Sequence, residues 1–320
     1  MPIVKKSKYK TPKFWYRNPH ISTIYFGRFL KTTPPIYQRE RLELNDGDFL
    51  DVDFILQSPK KAVILCHGLE GGSVRTYNNT SANYFIEQNY SVFAWNNRSC
   101  SGEMNRLLRM YHHAVIDDLD TVVKYVIDRG FDEIYLVGFS MGGAQIINYL
   151  SRMNIDPKVK AAVAVSTPIE LKDSAESLKK GFNKVYLQNF ITKISKKFEL
   201  KKEQFPNEVD WRKLEKIKSF DEIDDYFTAP VHGFSDKDDY YKKASPSYSM
   251  DATKTPVLVI NALDDPFLGE NCFPMDFAKN HPYVFLETPE NGGHCAFPTH
   301  LPKLSYPEIR ALDFFKEIKS

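Results

Sequence analysis

Ser140 lies within Gly138-Phe139-Ser140-Met141-Gly142, a G-x-S-x-G pattern whose flanks matter more than the match itself. Residues 133–137 form a short, apolar, β-branched run that predicts a buried strand, and residues 143–150 predict a helix. A serine at such a strand-to-helix corner is held in a strained turn. Its hydroxyl stands exposed above the sheet at the positive end of the helix. A serine hydroxyl is a poor nucleophile alone. It requires a base to take its proton and a group to orient that base.

In this setting the partners are expected in the chain order serine, acid, histidine. Asp264 and Asp265 follow an apolar run ending at Asn261, where an orienting carboxylate belongs. Asp265 is the better candidate and Asp264 the alternative, and Asp264-Asp265-Pro266 can also be read as turn chemistry. Asn291-Gly292-Gly293-His294 follows the last apolar run, and its glycines allow a tight loop that carries the imidazole back over the serine. His20, His112, His113, His232, His281 and His300 lack such a loop after a core strand.

His67 belongs to Cys66-His67-Gly68-Leu69-Glu70-Gly71-Gly72-Ser73, which follows the first core strand. A glycine-rich turn there can present one backbone N–H to the serine, and the residue after the nucleophile can present another. Leu69 and Met141 are therefore expected to form an oxyanion hole through their backbones. His67 is expected to shape this turn, with the role of base as its alternative. A phosphate-cradling reading fails because the Gly-Lys-Ser/Thr ending of a P-loop is absent.

These groups require a scaffold. Residues 41–44 and 49–55 alternate apolar with polar side chains around Asn45-Asp46-Gly47-Asp48, which predicts an antiparallel hairpin at a sheet edge. Continuous apolar runs then alternate with helical stretches, the pattern of a mostly parallel, open α/β sheet buried on both faces. Residues 41–166 and 251–320 are expected to form this core. Residues 1–40, rich in proline, lysine and aromatics, read as an arm packed on the body. Residues 167–250 lack a buried-strand run and read as a helical cap inserted over the carboxyl ends of the strands. Its Tyr186, Phe190, Tyr226, Phe227, Phe234, Tyr240 and Tyr241 could line an acyl tunnel or simply glue the cap to the body. Trp211 and the lysines nearby are expected on its outer surface.

Composition narrows the field. The 320 residues are 42% hydrophobic and 26% charged, as in an ordinary soluble globular protein. A net charge of +2 gives no case for nucleic acid, and interleaved lysines read as a solvated helix face before a membrane-surface role. The four cysteines show no metal spacing and read as free thiols of a reducing compartment. No apolar run approaches the length of a membrane span, and Met1-Pro2-Ile3-Val4-Lys5-Lys6 lacks the apolar core of a signal peptide. A cytoplasmic location is the expectation.

The motifs His67-Gly68-Leu69-Glu70-Gly71-Gly72-Ser73, Asn97-Arg98-Ser99-Cys100-Ser101-Gly102, Gly138-Phe139-Ser140-Met141-Gly142-Gly143, Asp264-Asp265-Pro266-Phe267 and Gly292-Gly293-His294 together resemble the YheT-like branch of the α/β-hydrolases. Asn18-Pro19-His20-Ile21-Ser22-Thr23-Ile24 is similar to that branch's Asn-Pro-His-x-Gln-Thr element, with serine in place of glutamine. The resemblance implies an α/β-hydrolase fold and hydrolysis of short- to medium-chain carboxylic esters, with Ser140, Asp265 and His294 as the triad. Acyl transfer to an alcohol by the same triad is the alternative, and a non-catalytic binding protein of the same fold is a further one. Neither metal nor organic cofactor is needed, and the expected partner is a small-molecule ester.

Overall fold

The computed structural model of the chain describes residues 7–11, 13–30, 32–301 and 303–319. The first six residues, and with them the signal-peptide reading, lie outside these. The described residues form one eight-stranded sheet in the order β1-β2-β4-β3-β5-β6-β7-β8. Its strands are β1 (Gln38–Glu43), β2 (Phe49–Ile55), β3 (Lys61–Cys66), β4 (Ser91–Asn96), β5 (Glu133–Phe139), β6 (Val159–Val165), β7 (Val257–Ile260) and β8 (Val284–Glu287). β1 and β2 run antiparallel to their neighbours and all later pairs are parallel. The fold is therefore α/β with a mostly parallel open sheet.

The helices are α1 (Pro19–Ile24), α2 (Thr76–Glu87), α3 (Ile116–Asp128), α4 (Met141–Arg152), α5 (Leu171–Leu178), α6 (Asn183–Gln204), α7 (Phe220–Ile223), α8 (Ala229–His232), α9 (Lys237–Ala244), α10 (Met275–Asn280) and α11 (Tyr306–Glu317). Parallel strands need crossovers, and helices on both faces supply them. One apolar layer includes Val122, Val126, Ile146 and Ile147 beneath the sheet. The other sets Phe85, Phe314 and Phe315 against Val63, Tyr135 and Val163. Between β6 and β7 the described elements are all helical, running from α5 to α9. Their own apolar cluster includes Leu187, Ile194, Phe198, Trp211 and Phe227.

The hairpin departs from simple alternation. β2 is buried on both faces, because Arg39 pairs with Asp53 at 2.6 Å and Arg41 with Asp51 at 2.8 Å across the register. Burial works against the charge of both carboxylates, yet the guanidinium bonds hold them below the usual carboxylate range. Asp53 also accepts from Ser73 Oγ, and Asp51 from Ser101 Oγ. The edge hairpin thereby anchors the loops that follow β3 and β4.

Candidate active site

β5 runs to Phe139 and α4 begins at Met141, so Ser140 alone makes the corner, with φ +54° and ψ −120°. Its N–H donates to the Val165 carbonyl at 2.8 Å, tying the turn to β6. A Cβ on Gly142 would lie 2.3 Å from the Cys66 carbonyl oxygen, and one on Gly138 would lie 2.5 Å from the Gly142 carbonyl carbon. Both positions exclude side chains because α4 crosses close over β3 and β5. The strained φ, costly for a non-glycine residue, is held by these contacts.

The loop after β8 brings His294 back to the carboxyl end of β7. His294 Nδ1 lies 3.0 Å from both carboxylate oxygens of Asp265, which is buried. Among the described residues no other histidine is ion-paired with a carboxylate. Burial would lower the His294 pKa, but the adjoining Asp265 carboxylate outweighs it and raises the pKa above the ordinary value. Asp264 faces elsewhere: it accepts the Gly293 N–H at 3.0 Å and Asn291 Nδ2 at 3.3 Å. It holds the loop while Asp265 holds the imidazole. Phe267 lies against that ring, with centroids 4.0 Å apart.

The N-terminal Asn-Pro-His element braces the same loop. Asn18 caps α1 by accepting the His20 and Ile21 N–H groups, and Thr23 Oγ1 accepts the His294 N–H at 2.9 Å. A Cβ on Gly293 would lie 2.8 Å from the Pro19 carbonyl oxygen. Sequence reasoning assigned this element no role, and no local pattern could have given it one, since the contact spans 271 positions.

At the turn after β3, Gly68 N–H donates to Tyr77 Oη, Glu70 N–H to Tyr111 Oη and Gly71 N–H to the Gly68 carbonyl. The Leu69 N–H, between them, has no such partner among the described residues. Met141 opens α4, where the first N–H groups have no intrahelical acceptor. Ser140, Met141, Leu69 and His294 all line one cavity. His67 is buried and engaged at both nitrogens, with Nδ1 2.7 Å from the Gly68 carbonyl and Nε2 accepting the Asn97 N–H at 3.0 Å. Burial pushes its pKa down to about 4, so it shapes the turn as a neutral ring. Glu70, at φ +53°, is clamped by Tyr111 and by Lys197 of α6 at 2.9 Å.

The cavity holds about 930 Å³ of unfilled space including its open mouth. Of the seven aromatics read either as cavity lining or as glue, Phe190, Tyr240 and Tyr241 line the cavity, joined by Phe198, Phe220 and Phe267. Trp211 is not on an outer surface. It is 6% exposed, packed on Phe198 and Phe227, with its indole N–H donating to the Phe205 carbonyl at 2.8 Å. A polar flanking sequence concealed that environment. His112 and His113 also line the cavity as half-buried rings without carboxylate partners. The four cysteines are unpaired, and no group of metal-ligating side chains is found among the described residues.

The family described as the alpha/beta hydrolase fold matches residues 61–301. This chain belongs to the α/β-hydrolase family. It is 30% identical over 297 residues to YheT of Escherichia coli K12, across 89% of this chain and 86% of that protein. Phospholipase ABHD3 of Homo sapiens is 30% identical over 308 residues, across 92% of this chain and 75% of the relative. Among solved structures, the Pyrococcus furiosus esterase Pf2001 superposes with a TM-score of 0.60 at 17% identity, covering 90% of this chain and 98% of the esterase. Within this family the chain is a hydrolase, and none of its described helices is long and apolar enough to cross a membrane.

Proposed function

We propose that this α/β-hydrolase cleaves carboxylic esters of short to medium acyl chain length through Ser140, His294 and Asp265. One observation carries the reading: a histidine held by a buried carboxylate shares an apolar cavity with a serine on a strained strand-to-helix turn. His294 Nε2 takes the Ser140 proton as Oγ attacks the ester carbonyl, while Asp265 holds Nδ1–H and stabilises the imidazolium. The Leu69 and Met141 N–H groups face the developing oxyanion, where losing one donor typically costs about 10²–10³ in rate. His294 then protonates the departing alcohol. Water, deprotonated by the same base, releases the acid from Ser140.

The apolar lining supports an acyl group in the cavity, and residues 167–250 act as a cap domain that sets its size. Hydrolysis of p-nitrophenyl esters from acetate to palmitate, by the wild type and Ser140→Ala, tests this. An optimum at short or medium chains that vanishes with Ser140→Ala supports the proposal. Undiminished turnover by Ser140→Ala, or inertness of the wild type on every chain, overturns it.

A further inference from the structure

The N-terminal segment and the start of α6 share an unusual surface. Phe14 is 77% exposed, Phe29 63%, Val185 57% and Phe182 49%, with Trp15 and Tyr25 also exposed. Such side chains usually lie inside. Phe14, Trp15, Tyr16 and Tyr25 form one run of ring contacts at 5.2 to 6.1 Å. Separately, His20 joins α1 to Phe182, the residue before α6, at 4.7 Å.

The two stretches of sequence that carry these rings have charge of one sign. The first carboxylate of the chain belongs to Glu40, and none occurs between Glu176 and Glu199. Lys13, Arg17, Arg28, Lys180 and Lys184 are all exposed, and none forms an ion pair among the described residues. Exposed Phe, Trp and Tyr surrounded by unpaired Lys and Arg match an anionic bilayer surface, where rings bury at the headgroup level and cations meet lipid phosphates.

The patch also leads inward. Phe182 contacts Tyr186 at 5.9 Å, Tyr186 contacts Phe267 at 4.9 Å, and Phe267 contacts His294 at 4.0 Å. We infer that this aromatic, basic face docks on anionic lipid bilayers, with the ring seam from Phe182 to His294 leading from the interface to the cavity. Docking itself is independent of catalysis; only its consequence, delivery of lipid esters, rests on the hydrolase reading.

The test uses Ser140→Ala, so that binding is read without turnover. It is mixed with extruded vesicles of phosphatidylcholine alone or with phosphatidylglycerol, and followed by co-sedimentation and tryptophan emission. Trp95 is fully buried and Trp211 nearly so, which leaves Trp15, 42% exposed, as the reporter. Co-sedimentation with the anionic vesicles and a blue shift are expected, with much weaker binding to the neutral ones. Phe14→Ser with Phe29→Ser should weaken partitioning at least about tenfold. Arg17→Gln with Arg28→Gln should weaken it about fivefold for each charge removed. In the Ser140 protein, both pairs should leave turnover of a soluble p-nitrophenyl ester unchanged, which separates failed docking from failed catalysis. Absence of vesicle binding, binding indifferent to both pairs, or a dimer dispersed by the phenylalanine pair would each overturn the proposal, the last by making a second copy the occupant.

Discussion

Replacing Asp265 with Asn, against the same change at Asp264, separates two adjacent carboxylates that the structure assigns different contacts. Asp265 Oδ1 accepts the Phe267 N–H at 2.9 Å, so an asparagine must keep its carbonyl oxygen there. Its amide NH₂ then takes the Oδ2 place, 3.0 Å from His294 Nδ1. Oδ1 stays 3.0 Å from Nδ1, but an N–H donor pointed at Nδ1 opposes a proton there and favours the tautomer with the proton on Nε2, which cannot accept the proton of Ser140. On the precedent of serine proteases, that inversion costs about 10⁴ in kcat, or about 5 kcal/mol of barrier. Asp264→Asn retains an oxygen for the Gly293 N–H and should cost no more than about tenfold, since the loss is one charge-assisted bond to the loop. Steady-state kinetics on a p-nitrophenyl ester, with urea unfolding as the folding control, compares the two. If Asp264→Asn were the more damaging in a folded protein, or if Asp265→Asn kept a tenth of the activity, the proposed division of roles would be refuted.

The same pair sets the pH response. Asp265 raises the His294 pKa above 6.5, and in the proposed mechanism the neutral ring is the working base. Wild-type kcat/KM should therefore fall as pH drops through that raised value. In Asp265→Asn, where the carboxylate no longer opposes burial, the acid limb should move to lower pH. For stability the sign reverses. The pair stabilises the fold fully below the unfolded pKa, and that contribution is lost as pH rises through the folded one.

Other substitutions probe the frame. Gly142→Ala forces a Cβ onto backbone that cannot yield, and should cost at least about 1–3 kcal/mol in chemical denaturation and abolish turnover. Lys197→Met leaves Glu70 buried without its cation. Displacing Leu69 should then lower kcat by up to about 10², weaken a boronic acid inhibitor in parallel, and change KM little. Trp211→Ala should cost about 3–5 kcal/mol by urea unfolding, whereas a surface tryptophan would cost almost nothing.

The layout of the sheet was legible because fully buried parallel strands must be continuously apolar, as residues 62–66, 92–95 and 161–165 are. The strained serine corner was legible for a similar reason: only glycine tolerates the close crossing at Gly138 and Gly142. Boundaries were less so, and β5 runs two residues beyond its apolar pattern to Phe139. The buried face of β2 was hidden, because Asp51 and Asp53 read as solvent-facing until Arg39 and Arg41 are set opposite them.

Local chemistry in the sequence determined which residue types could act and on which loops they sit, since turns and strands follow from short-range sterics and periodicity. The sequence favoured Asp265 over Asp264, but only the tertiary structure shows which of the two contacts His294. The choice depends on which carboxylate meets an imidazole 29 positions away. It likewise decided that Trp211 is core, that Thr23 braces His294, and that Lys197 clamps Glu70. Each is a contact between distant segments, set by how the helices between β6 and β7 and the segment before β1 pack on the rest of the chain, and no local pattern encodes it.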